Sequence, residues 1–174
     1  MSFPPCDEGI KVLEELKAIC SFSFPSESEA AALTAFAVQS NNAHQTRTCS
    51  EAVATDILKV DPGAINRGNV EKLVATDGRL VGFYSLKDMD QVARSIELGH
   101  VMVHPEYHKK GFGTILFNRA VEKARSYGAE RMHWISDPDA AGFYLKLGAQ
   151  KYGEDENILN PEVNVPLMEY LLRK

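Results

Sequence analysis

Residues 97–114 read ELGHVMVHPEYHKKGFGT. Residues 98–103 are apolar and partly β-branched, and they stop at His104-Pro105, the pattern of a strand that ends where proline cannot donate to a ladder. Gly111-Phe112-Gly113 then opens a helix, with Leu116, Val121, Ala124 and Tyr127, supported by Ile115, Phe117 and Ala120, at helical spacing. Gly128 is placed to end it in the left-handed conformation. The stretch is therefore strand, short basic loop, helix.

A helix start leaves backbone N–H groups unpaired and carries partial positive charge. Glycines let an anion approach those groups, and Lys109 and Lys110 add full charges beside them. From residue 104 to 125 the cations are Lys109, Lys110, Arg119, Lys123 and Arg125 against Glu106 and Glu122, in a chain whose net charge is −5. This local reversal of sign suits a polyanionic ligand such as a pyrophosphate. The P-loop is excluded because no lysine follows Gly113, and the dinucleotide fingerprint lacks its third small residue, since Leu116 stands there.

His108-Lys109-Lys110-Gly111-Phe112-Gly113, after Val103-His104-Pro105, resembles the Q/R-x-x-G-x-G/A loop of the GNAT N-acetyltransferase superfamily, with His108 in the Gln/Arg position. Further on, Asp137-Pro138-Asp139-Ala140-Ala141-Gly142-Phe143-Tyr144-Leu145-Lys146-Leu147-Gly148-Ala149 is similar to the family's second motif. The D-P-x-A-x-x-F-Y run and the late Val165-Pro166-Leu167-Met168-Glu169 resemble one subgroup. The resemblance covers residues 19–172 and is most specific over 97–150.

The resemblance implies an α/β (α+β) fold, with a mixed, mostly antiparallel sheet flanked by helices and acetyl-CoA wedged where two parallel strands part. It implies acetyl transfer from acetyl-CoA to a primary amine, of a small molecule, directly in a ternary complex and without a metal. The cofactor would be held by Val101, Met102, Val103, His108, Lys109, Lys110, Gly111, Phe112, Gly113, Thr114, Asp137 and Phe143. The main chain of Val101 and Val103 would meet the acetyl carbonyl and the pantetheine arm. Tyr144 would give a proton to the leaving sulfur, and Glu97, fourteen residues before Gly111, would be the base. His44, in the segment that lines the acceptor pocket in the family, would contact substrate. His100 has the opposite strand parity to Glu97 unless a bulge intervenes, which makes it the weaker base. His133 and Trp134 read as sheet residues. Two alternatives stay open: a non-catalytic acyl-CoA-binding or sensor domain, and an acetyltransferase of protein lysines or N-termini.

The rest of the chain fits one domain over residues 19–174 behind an N-terminal extension, 1–18, with a short helix over 9–17. Apolar residues make up 44% and charged residues 25%, ordinary for a globular chain that builds its own core. The acidic balance argues against nucleic acid as partner and suits a cationic amine. Three widely spaced cysteines, Cys6, Cys20 and Cys49, without a C-x-x-C, suit neither a disulfide framework nor a zinc site. No run of membrane or signal-peptide length appears, so the chain reads as cytoplasmic with no membrane partner. The N-terminal helix and the late strand are the surfaces a homodimer would use. Ser26 to Glu29 reads as a capping box, with a helix to about Ser40. A second helix is expected over 50–60, with Val53, Ile57 and Leu58 inward and Asp61-Pro62-Gly63 as breaker. Asp77-Gly78 joins two strands.

Overall fold

The computed structural model describes residues 18–42, 50–157 and 162–172. The helix expected over 9–17 and His44 lie outside them. Strand β1, Cys20–Ser23, is followed by a 3₁₀ turn, Glu27–Glu29, and helix α1, Ala30–Asn42. The Glu29 carboxylate accepts from the Ser26 N–H at 2.7 Å, closing one orphan donor at this start as a capping box should. Helix α2, Glu51–Ile57, is capped by Ser50, whose hydroxyl accepts from the Val53 N–H.

Two expectations here are corrected. Val53 and Ile57 are exposed and Ala54 is buried in their place, while Leu58, the C-cap, is buried as expected. That edge is one i, i+4 pair wide, and the small Ala54 lets the short helix lie close to the core. Asp61-Pro62-Gly63 breaks the helix but also starts another, α3, Pro62–Asn66. The Asp61 carboxylate accepts from the Gly63 and Ala64 N–H groups, and Pro62 sits where no N–H is needed.

β2, Val70–Ala75, and β3, Leu80–Leu86, form the expected hairpin, with Gly78 at φ +85° in its turn. β4, Ser95–Val103, leads through a 3₁₀ turn, Pro105–Tyr107, to α4, Phe112–Ser126. β5, Arg131–Ile135, α5, Pro138–Lys146, β6, Gln150–Asp155, and β7, Val165–Leu171, complete the chain. Among the described residues these strands make one seven-stranded sheet in the order β1-β2-β3-β4-β5-β7-β6. Its only parallel pair is β4–β5.

Each face of the sheet has a core. On one, α4 and α5 bury Leu116, Phe117 and Tyr144 against Tyr84, Leu98, Met132 and Trp134. On the other, α1 to α3 bury Leu33, Phe36, Ala37, Leu58 and Ile65 against Phe83. Leu116 and Phe117 are almost wholly buried, each contributing about 2–3 kcal/mol of apolar transfer. Glu71 on β2, only 2% exposed, accepts from the Tyr84 hydroxyl at 2.6 Å and from two Arg119 nitrogens at 3.0 and 3.1 Å. This contact holds α4 to the sheet because the Glu71 carboxylate, without the half-exposed Arg119, would be left buried with no cation. No helix among the described residues is long and apolar enough to cross a membrane.

Candidate active site

The β4–β5 pairing runs only through Ser95–Arg131, Ile96–Met132 and Glu97–His133. Past that rung both strands continue without pairing to each other, so among the described residues an edge of β4 is open from Leu98 to Val103. On the β3 side, the His104 N–H donates to the Val81 carbonyl at 2.8 Å. Antiparallel ladders alternate, so the main-chain groups of Met102 turn toward β3 and those of Val101 and Val103 turn away, toward the open edge. The Val103 carbonyl is already engaged: it accepts from the Ser40 hydroxyl at 2.7 Å and from His108 Nε2 at 2.8 Å. The His108 ring therefore braces the loop against the strand end, with Nε2 spent on this contact.

At the top of the open edge lies the start of α4. Gly111 is its N-cap, at φ +89°, and Lys109, two residues before it, is at φ +59°. The first intrahelical bond runs from the Ile115 N–H to the Gly111 carbonyl, so the N–H groups of Phe112, Gly113 and Thr114 have no intrahelical acceptor. Lys109 and Lys110 are exposed beside them. The Phe112 side chain is only 2% exposed and packs edge-on to Tyr107, so this residue offers a ligand its N–H and not its ring. A Cβ on Gly113 would meet the Phe143 ring at 3.2 Å, which shows how closely α5 is laid against the first turn of α4. Asp137 caps α5, accepting from the Asp139 N–H at 3.1 Å.

Tyr144 is 8% exposed and sits in ring contact with Phe117, Trp134 and Phe143. Burial first, and then the Asp137 carboxylate, raise the pKa of its phenol, so it keeps its proton at neutral pH. Among the described residues no protein group accepts from this hydroxyl.

On the opposite face of the sheet a bulge changes the parity read from sequence. Ser85 pairs with His100 but Leu86 pairs with Leu98, leaving Gly99 as the extra residue. A Cβ there would meet the Ser85 hydroxyl at 2.7 Å, so the bulge is built for glycine. The extra residue puts Glu97 and His100 on the same face, correcting the expectation of opposite faces. His100 is nonetheless committed: one ring nitrogen meets the Ser85 hydroxyl at 2.6 Å and the other the Leu58 carbonyl at 3.1 Å. The carbonyl can only accept, so Nε2 carries a hydrogen, and it is burial that keeps the ring neutral at pH 7. Burial lowers its pKa to about 4. Glu97 is also engaged, in an ion pair with Lys87 at 2.5 Å. Lys87 and the neighbouring His133 were not singled out in the sequence as site residues, because it shows neither the β4–β5 rung nor the hairpin register that gathers them here. A groove of about 580 Å³ beside α1 and α2, lined by Thr34, Ala35, Glu51 and Asp56 among others, shares none of these residues.

The residues at the open edge and the start of α4 fit a long thin ligand with a polyanionic end. The open β4 edge can pair with amide groups, and the α4 turn with phosphates. Comparison with known proteins identifies the fold and the family. The profile of the Acetyltransferase (GNAT) family matches residues 63–149, half of the chain. No curated protein sequence matches it. Among solved structures, a paia N-acetyltransferase from Thermoplasma acidophilum in complex with coenzyme A superposes with TM-score 0.68 at 20% identity, over 87% of this chain and 98% of that one. A putative acetyltransferase, yncA, from Salmonella typhimurium with acetyl-CoA gives 0.64 at 20% identity, over 89% and 95%. A spermidine N-acetyltransferase, SpeG, from Vibrio cholerae gives 0.65 at 18% identity, over 89% and 95%. With the family profile matched across the parted strands, the basic helix start and the Tyr144 helix, this chain belongs to the GNAT acetyltransferase family.

Proposed function

We propose that the chain transfers an acetyl group from acetyl-CoA to a primary amine of a small molecule, directly within a ternary complex. The observation that carries this reading is the open β4 edge leading to the lysine-flanked start of α4, where the N-cap Gly111 has no side chain to take up the free N–H groups. In it, the N–H groups of Phe112, Gly113 and Thr114, with Lys109 and Lys110, hold the pyrophosphate. Val101 gives its main chain to the acyl end, its N–H stabilising the charge that develops on the carbonyl oxygen. Acetyl-CoA supplies the activated thioester. Tyr144 holds a proton beside the leaving sulfur. Glu97 offers its carboxylate on the acceptor side, where an acceptor ammonium would compete with Lys87 for it. A spermidine N-acetyltransferase among the structural neighbours is consistent with such an acceptor.

Gly111 is the position that tests the cofactor. Its φ of +89° is strained for any side chain, and a carboxylate there would repel phosphates. Calorimetry on the wild type should show acetyl-CoA and coenzyme A binding, with Gly111→Glu losing both by at least about a hundredfold. That loss is equal to about 2.7 kcal/mol. No binding to the wild type overturns the reading.

A further inference from the structure

The last rung before β4 and β5 part is Glu97–His133. Paired strands lie about 4.8 Å apart and paired residues share a face, so His133 sits beside Glu97 on the face away from α4 and α5. Its partner on the other side is Glu169 of β7. Both flanking carboxylates are already held by cations: Glu97 by Lys87 at 2.5 Å, and Glu169 by Arg131 at 2.7 Å.

The described histidines differ sharply in what their nitrogens do. His100 has both engaged. His104 accepts from the Glu106 N–H, and His108 donates to the Val103 carbonyl. His133 has no hydrogen-bond partner among the described residues. It is half-buried, and neither ring nitrogen is among the closed-off unpaired atoms. A water can therefore reach the ring at the foot of the parted strands.

We propose that His133 is the base that takes the acceptor's proton through a water, while Glu97, fixed by Lys87, tunes the ring. This rests on the acetyl-transfer reading above. The acceptor ammonium gives one proton to His133, and the freed lone pair attacks the thioester carbonyl. As the C–N bond forms and the C–S bond breaks, the sulfur leaves with the bonding pair. The nitrogen's second proton passes through water to the Tyr144 oxygen, replacing the one Tyr144 has given to the thiolate. His133 then releases its proton to solvent, so the products are an amide, a thiol and one proton.

The charges facing the ring are Arg131 from its own strand, Glu97 from β4, Lys87 from the end of β3 and Glu169 from β7. Burial is the first cause lowering its pKa, Arg131 and Lys87 add to it, and Glu97 and Glu169 oppose it. The ring is thus neutral at pH 7 and able to accept.

The test is thiol release from acetyl-CoA between pH 5 and 9 with a fixed panel of spermidine, benzylamine and a lysine peptide. The rate on the best amine should rise with pH along a limb below about 6.5. His133→Gln should lose that limb and about a hundredfold in kcat, a general-base loss, while the KM for acetyl-CoA stays within about twofold, the limit set for unchanged binding. Free imidazole should restore much of the rate of His133→Ala. Glu97→Gln should shift the limb to lower pH, because the charge that raises the ring's pKa is gone. A wild-type limb retained in His133→Gln overturns the proposal. Should the variants fail to fold, titration of the His133 ring by NMR in the wild type decides: its midpoint must coincide with the limb, and a mismatch overturns the assignment. Acetyl-CoA binding without thiol release on any amine sinks this base but leaves the cofactor site standing. Absent acetyl-CoA binding removes both.

Discussion

At the scale of single residues, the chemistry depends on which polar atoms the fold leaves unspent. Tyr144 is wedged among three aromatic rings, yet its hydroxyl has no acceptor among the described residues. A phenol kept protonated by burial can donate across the whole working pH range. Tyr144→Phe preserves the packing and removes only that oxygen. Its kcat should fall about a hundredfold, at the low end for an acid catalyst, with acetyl-CoA affinity unchanged by calorimetry; an unchanged kcat would assign the ring to packing alone. The second sequence motif made Tyr144 legible. The spent state of His108 and Val103 was not, because a side chain folding back on a carbonyl five residues away leaves no mark in a motif.

Among elements, the β3–β4 hairpin sets the geometry of the open edge. Gly82 lies where a Cβ would sit 2.4 Å from the Met102 carbonyl oxygen and 2.8 Å from Leu116. The first contact is with backbone, which cannot rotate aside. Gly82→Ala must therefore push β4 or α4 away, and overpacking of this kind costs about 1–3 kcal/mol. A lower urea midpoint together with weaker acetyl-CoA binding is expected, since Val101 and Val103 lie on the displaced strand. Loss of stability with binding intact would show that the edge is not the cofactor's partner. The strands themselves were readable from alternation and turn residues. The Gly99 bulge was not, because one extra residue in a ladder is defined only by its partner strand.

For the whole molecule, His100 couples stability to pH. Its ring joins β3, β4 and the end of α2 through Ser85 and Leu58, and it is held neutral. The folded pKa is about 4 against an ordinary 6.5. Between those values the unfolded chain binds a proton that the folded one refuses, so stability falls as pH drops through that window. The drop amounts to about 3 kcal/mol at most. Urea unfolding at pH 7 and pH 4.5 should reveal it, and His100→Gln should flatten the dependence. An identical slope in that variant would place the coupling elsewhere. Asp61 and Glu29 act lower down: main-chain N–H groups on Asp61 and the Lys72 ammonium on Glu29 lower their pKa values. Their contributions are present above the ordinary carboxylate range and disappear below it.

The sequence by itself determined the order of the strands, the glycine-opened, lysine-flanked start of α4 and the family. Each rests on local physics: periodicity, glycine and proline punctuation, and charge next to a helix terminus. Tertiary structure decided which strand edge stays open, that Lys87 occupies Glu97, and that Glu97, His100 and His133 share one face. Those facts depend on pairing register between segments far apart in the chain. Shifting a register by one residue turns every side chain over without changing a letter of the sequence.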